Sequence, residues 1–245
     1  MKSWKTLSFI VLIFMSVQFS SCTPEQIDKI IDIATSTGEV PLTSGEVVSG
    51  LKGALIQGAV NGSNKVSALD GFYKNPSLKI LFPPEAQKIE QKLQDLGMGN
   101  LTEQLIEKVN HAAEDAAKEA APIFKKAITS MTISDAMNIL MGKNTAATEY
   151  LRVTTRDDLY KTFEPVIMKH LNKRGALDSW TKVVTRYNQI PFTQKMNPSL
   201  QDHVTNKAID GLFMMIAKEE VLIRKDPVAR TTEILKKVFA KQDNK

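Results

Sequence analysis

Apolar residues in this chain recur every three or four positions, the period of one helix face, and no stretch keeps the strict alternation of a half-buried strand. Val47, Leu51, Leu55 and Ala59 mark such a face over residues 46–64, interrupted by Gly50, Gly53, Gly58 and Gly62. Each glycine costs a helix about 1 kcal/mol relative to alanine, so this many predicts close backbone contact with another element. Leu101, Leu105, Val109, Ala112, Ala116 and Ala120 form the longest stripe, alanine-rich in its second half, where a neighbouring helix can approach. Residues 212–217 are apolar on every side, which predicts a buried centre for a helix capped at Ser199 and Asp202 and running to Lys225.

Punctuation divides the remainder. Residues 70–76 read as a turn, and 78–82 as an extended apolar stretch leading into Pro83-Pro84. A helix over 85–96 ends at Gly97, and Pro122 should kink or restart the long stripe before 123–130. Thr132 and Asp135 form a capping box that opens a short helix through Met141. Asn144 starts a helix carrying Tyr150 and Leu151. A second capping box, Thr155 to Asp158, starts another through Phe163 and Ile167 to Gly175, with Pro165 inside it. Residues 176–187 are helical, 189–198 form a proline-bounded loop, and Asp226-Pro227 restarts a last helix to Ala240. The expected architecture is an all-α single multi-helix bundle of about nine helices with a central apolar helix near the C-terminus.

The first residues follow another logic. Lys2 and Lys5 precede an apolar run, Leu7 to Val17, and Phe19-Ser20-Ser21-Cys22 follows with the only cysteine of the chain. The run is about half of the roughly 20 residues that span a bilayer, so it fits the h-region of an export signal. The whole segment resembles a bacterial lipoprotein signal whose cysteine, Cys22, is acylated and becomes the mature N-terminus. The chain then divides into a signal over 1–21, a lipidated N-terminus with a short helix and tether over 22–44, a helical domain over 45–240 and a tail over 241–245. Thr23, Pro24 and Gln26 cap the short helix, and the Thr/Ser/Gly-rich residues 35–45 form the tether. Thr23, where inner-membrane retention would want Asp, points to the outer membrane of a Gram-negative cell.

Composition narrows the function. Removal of residues 1–21 takes away two lysines and no acid, so the formal charge falls from +5 to +3. Lys and Glu are interleaved along the chain without a basic stripe, which excludes a nucleic-acid partner. No spacing of His, Cys and carboxylates suits zinc, and no nucleophile elbow, P-loop or dinucleotide fingerprint occurs. No cofactor and no metal are expected. His111 and Glu114, three apart, superficially match half of a ferritin-type carboxylate site, but the order is reversed and no second copy exists; a solvent-exposed pair is the simpler reading. Asp135, Arg152, Arg156, Glu219, Glu220 and Arg224 make a second polar set, in which Glu220 and Arg224 have helical ion-pair spacing; buried structural pairing or a solvated face is the simpler reading, a charged pocket the other. Met131, Met137, Met141, Met168, Met196, Met214 and Met215 suit either core or an adaptable apolar pocket.

Several stretches together resemble the DUF4197 family of bacterial envelope proteins. They are Gly50-Leu51-Lys52-Gly53-Ala54-Leu55, Asp70-Gly71-Phe72 with Asn75-Pro76, and Asn110-His111-Ala112-Ala113-Glu114. Asp135-Ala136, Ile139-Leu140 and Ala146-Ala147-Thr148-Glu149-Tyr150 follow. Asp210-Gly211-Leu212-Phe213, Glu220, Ile223-Arg224 and residues 226–231 complete the set. The resemblance implies a mostly helical exported domain without an assigned activity. Its polar positions, Asn110, Glu114, Asp135, Arg152, Glu220 and Arg224, are the candidate site. The expected function is a lipid-anchored, non-catalytic module that binds an envelope protein or an apolar ligand. Two alternatives stand beside it: a carrier or sensor of an apolar molecule in a Met-rich pocket, and a hydrolase or lyase built on Asn110, Glu114, Asp135 and Arg152.

Overall fold

The structure is a computed structural model that describes residues 43–97, 99–192, 195, 200–230 and 232–239. The signal, Cys22, the short helix at Thr23, most of the tether, Met196, Ser199 and the tail lie outside the described residues, so the expected total of helices has no one-to-one counterpart. Among the described residues every regular element is helical. In chain order they are α1 (Ser44–Ser67), α2 (Gln87–Asp95), α3 (Gly99–Ala117), α4 (Ala120–Thr129), α5 (Ile133–Met141), α6 (Ala146–Lys173), α7 (Ala176–Asn188), α8 (Gln201–Lys225) and α9 (Glu233–Phe239). Short 3-10 turns at Pro84–Ala86 and Pro227–Ala229 lead into α2 and α9. None of the described helices is long and apolar enough to cross a membrane.

α8 lies at the centre, packed along α1 on one side and α6 on the other, with α3 against α6, α7 and α8. Its middle carries the buried Leu212, Phe213, Met215 and Ile216. The expectation of burial on every side is corrected at Met214, which is 43% exposed because this edge of α8 carries no neighbouring helix. A large core runs through α1, α3, α4, α6, α7 and α8, and a smaller one joins the first half of α1 to α5, the start of α6 and Phe239.

Most of the predicted boundaries hold, and the departures have local causes. Thr132 and Asp135 make the expected reciprocal capping box at the start of α5. α1 starts earlier than expected, because Thr43 and Glu46 form a further capping box inside the stretch read as tether. The two helices expected at Asn144 and Thr155 are one, α6. Thr155 is buried in mid-helix, and its hydroxyl donates to the Leu151 carbonyl instead of capping a new start. The break before α4 falls at Lys118–Glu119, ahead of Pro122, which then sits in a first turn where its missing N–H costs nothing. α8 follows Leu200, which supplies no side-chain cap. The last segment is a 3-10 turn followed by α9 rather than one continuous helix.

The glycines of α1 behave as their number suggests. A Cβ at Gly62 would stand 3.1 Å from Ile216 Cγ1 and 3.4 Å from the α8 backbone, and one at Gly50 would strike the Ile234 side chain of α9. Gly53 faces solvent with nothing within 4 Å. Gly62→Leu is therefore expected to overpack the α1–α8 seam and cost about 1–3 kcal/mol in urea unfolding. Gly53→Ala should stabilise by up to about 1 kcal/mol, since it relieves only the helix-propensity penalty.

Candidate functional site

The six polar candidates occupy distinct positions. Asn110 and Glu114, one turn apart on α3, face the segment between α1 and α2. Asn110 is fully buried; its Oδ1 accepts the Ile80 N–H at 2.8 Å, and its Nδ2 donates to the carbonyls of Ile80 at 2.9 Å and Ile106 at 2.7 Å. The amide thus replaces a neighbouring strand for the extended residue Ile80. The in-out alternation of buried Leu78, Ile80 and Phe82 with Lys79 and the exposed Leu81 follows from that anchoring. Glu114 Oε1 accepts the backbone N–H groups of Phe72 at 3.0 Å and Tyr73 at 3.1 Å. Its Oε2 lies 2.7 Å from His111 Nδ1.

The reading of His111 and Glu114 as a solvent-exposed pair is thereby corrected. Glu114 is 3% exposed, because two backbone donors of the turn point at it and would be orphaned without it. The same face continues with Glu103, which accepts the Tyr73 hydroxyl at 2.8 Å and pairs with Lys79 at 3.2 Å. That hydrogen bond, more than desolvation, pushes the Tyr73 phenol up to about 12. Residues 70–84 therefore form a strap held to α3 by an amide, a carboxylate and a charged rim.

Glu220 and Arg224, on α8, join the ends of two other helices. Glu220 Oε1 accepts the Ala147 N–H at 2.9 Å, and Oε2 accepts the N–H and hydroxyl of Thr148, both at 2.8 Å. α6 has no side-chain cap from Thr145, so this carboxylate serves instead, at the positive end of the helix. Arg224 donates to Glu220 at 3.0 Å and to the carbonyls of Ile139 at 2.7 Å and Leu140 at 3.4 Å, at the negative end of α5. Both are buried, and each faces the dipole end of the opposite sign. Arg230, 2% exposed, repeats the device for α8 by donating to the carbonyls of Ile223 and Arg224. In the sequence Arg230 stands only inside a family-like stretch, and its one local signal is an arginine a few residues past a helix end. Glu219 pairs with Lys65 of α1.

Asp135 belongs to the α5 capping box, where hydrogen bonds from the Thr132 hydroxyl and N–H hold its carboxyl below the usual range. Arg152 lies on the α6–α8 seam, 3.8 Å from Asp210 and 4.6 Å over the Phe213 ring, beside Arg156, which donates to Asp210 at 2.9 Å and to Asn206 at 3.1 Å. Asn110, Glu114, Asp135 and Arg152 thus engage three separate sets of partners. The methionines scatter likewise: Met131 and Met137 enter the smaller core, Met215 the larger one, and Met141 and Met214 are exposed. Among the described residues no three metal-capable side chains gather.

A cleft of about 300 Å³ lies elsewhere, between the strap and the outer face of α8. His203, Lys207, Gly211 and Met214 line it from α8 at helical spacing, and Leu78, Lys79, Leu81 and Phe82 from the strap. The His203 ring meets the Leu81 carbonyl at 3.0 Å and ties strap to helix. A Cβ at Gly211 would stand 2.6 Å from the Phe72 ring, so only glycine lets the strap lie this close. The stripe at 203, 207, 211 and 214 was legible as a spacing. Nothing in the sequence announced the strap that faces it.

Two outcomes test these assignments. Glu220→Ala is expected to cost about 3–5 kcal/mol, because it strands a buried guanidinium and the first N–H groups of α6. The paired Glu220→Leu, Arg224→Met replacement should cost less than the two single changes summed, as measured by a double-mutant cycle in urea. Asp115 supplies a pH test. Burial pushes its carboxyl up, but hydrogen bonds from Lys118 and Arg174 and the charge of His170 outweigh it and leave the group below its ordinary value. The folded state therefore binds this proton more weakly than the unfolded one. The resulting stability is present above the unfolded value near about 4 and is lost as pH falls through the folded value. Asp115→Asn is expected to be destabilising at pH 7 and to flatten the acid limb of a stability–pH profile.

Comparison with curated proteins found no match, and comparison with solved structures found none either. The family described as "Protein of unknown function (DUF4197)" matches residues 41–240, from just before the α1 cap to just beyond α9. That span takes in the clamped strap, the Glu220–Arg224 pair and the cleft alike, and on it the chain belongs to the DUF4197 family.

Proposed function

We propose that this protein is a non-catalytic helical binding module, anchored by acylation of Cys22 in the outer membrane of a Gram-negative envelope. One observation carries the non-catalytic part: Asn110, Glu114, Glu220 and Arg224 are engaged by backbone ends and by one another. General acid–base or nucleophilic chemistry needs side chains aimed at a substrate, and these are aimed at the fold.

The anchor rests on the sequence. Acyl burial stabilises attachment by about 0.8 kcal/mol per CH2, and one chain alone holds marginally. A lipoprotein cysteine carries more than one chain, so attachment needs no basic patch. Mass analysis of the mature N-terminus is expected to begin at Cys22 with a diacylglyceryl thioether and an N-acyl group. Cys22→Ser should move the protein from the membrane fraction to an uncleaved or soluble form. An unmodified N-terminus, or one beginning elsewhere, overturns the anchor.

A further inference from the structure

We infer that the cleft between the strap and α8 is a binding site for a small amphipathic carboxylate, an anionic head on a short alkyl body. It rests on the binding-module reading and adds the ligand class. The volume, about 300 Å³, lies at the small end of sites that hold organic ligands. The floor is apolar, with Leu78 and Phe82 nearly buried beneath it. Leu81 and Met214, on opposite walls, are 49% and 43% exposed. An alkyl body seated between them removes that surface from water.

The charges select the sign of the head. Lys207 is exposed and has no hydrogen bond or ion pair among the described residues. Lys79 is balanced by Glu103 at 3.2 Å. Asp210, the acid in the lining, is met by Arg156 at 2.9 Å and Arg152 at 3.8 Å, and Arg152 is met in turn by Glu149 at 3.9 Å. Two guanidinium groups are thus answered by two carboxylates, and the ammonium of Lys207, one helical turn from Asp210, is the charge of the α8 wall that stays unmatched. A carboxylate gives that ammonium a charged acceptor, which neither a cation nor a neutral ligand supplies. The apolar walls then favour a tail over a bare anion.

The test uses the full chain in phospholipid nanodiscs with ¹³C-methyl methionine, the Met214 signal being assigned by Met214→Leu and empty nanodiscs serving as the blank. Octanoate is expected to shift the Met214 methyl saturably while Met131 and Met137, in the smaller core, stay still. Octanol keeps the tail and acetate keeps the charge; each should bind at least about fivefold more weakly, the size of one modest ionic or apolar contribution. Lys207→Glu, at an exposed position, should weaken octanoate by about fivefold and leave octanol unchanged. Absence of a saturable Met214 shift overturns the site. Equal binding of octanol or of acetate overturns the ligand class, as does an unaltered octanoate affinity in Lys207→Glu. The comparison of the three ligands on the unsubstituted chain stands even if the variant misfolds. Loss of this site leaves the Cys22 anchor untouched, since that is read from the N-terminal mass.

Discussion

The buried pair Glu220–Arg224 is the interaction on which the arrangement of the bundle depends. A helix end leaves backbone donors or acceptors without partners, and burying such an end is costly unless a side chain answers it. Here one ion pair on α8 answers two ends at once: carboxylate for the N-terminus of α6, guanidinium for the C-terminus of α5. Residues 142–145, the largely exposed link between those helices, thereby join two ends held side by side on α8, and the first half of α1 and Phe239 close the smaller core beside them. Desolvation makes such a pair a poor source of net stability. Its value lies in permitting one relative placement of three helices and penalising others.

The strap obeys the same rule by other means. Residues 70–84 have no helical ladder, so Asn110 and Glu114 act as substitute backbone: the amide for a neighbouring strand, the carboxylate for a helix cap. Polar residues buried in α3 are thus the condition for an irregular segment lying across an otherwise helical surface. The cleft is a by-product of that crossing, because an extended chain and a cylinder meet along a line and leave a gap on either side.

Sequence periodicity reached the helical class, the α5 capping box and the glycine-mediated approach of α1, since each is written in local spacing. It failed at Thr155, where a cap-like sequence is overridden by burial against the rest of α6, and at Thr43, whose cap lies in a stretch that looks like linker. The candidate polar residues were legible as an unusual set, but their roles were not. Whether Glu114 faces water or a turn more than forty residues away is decided by the topology, not by its neighbours on α3. The cleft was least legible of all, because its two walls come from segments more than a hundred residues apart.

The course of α1 has a geometric consequence. Its first turns lie against α9 at Gly50 and Ile234, and its last turn lies beneath the strap, where Gly71 packs on the Lys65 and Val66 carbonyls. At 24 residues and a rise of 1.5 Å each, the two poles are about 36 Å apart. Chain entering at Thr43 enters at one pole, and the strap and α8 residues that line the cleft lie near the other. The residues that line the cleft therefore sit about one helix length of α1 away from the point at which the chain enters the described domain.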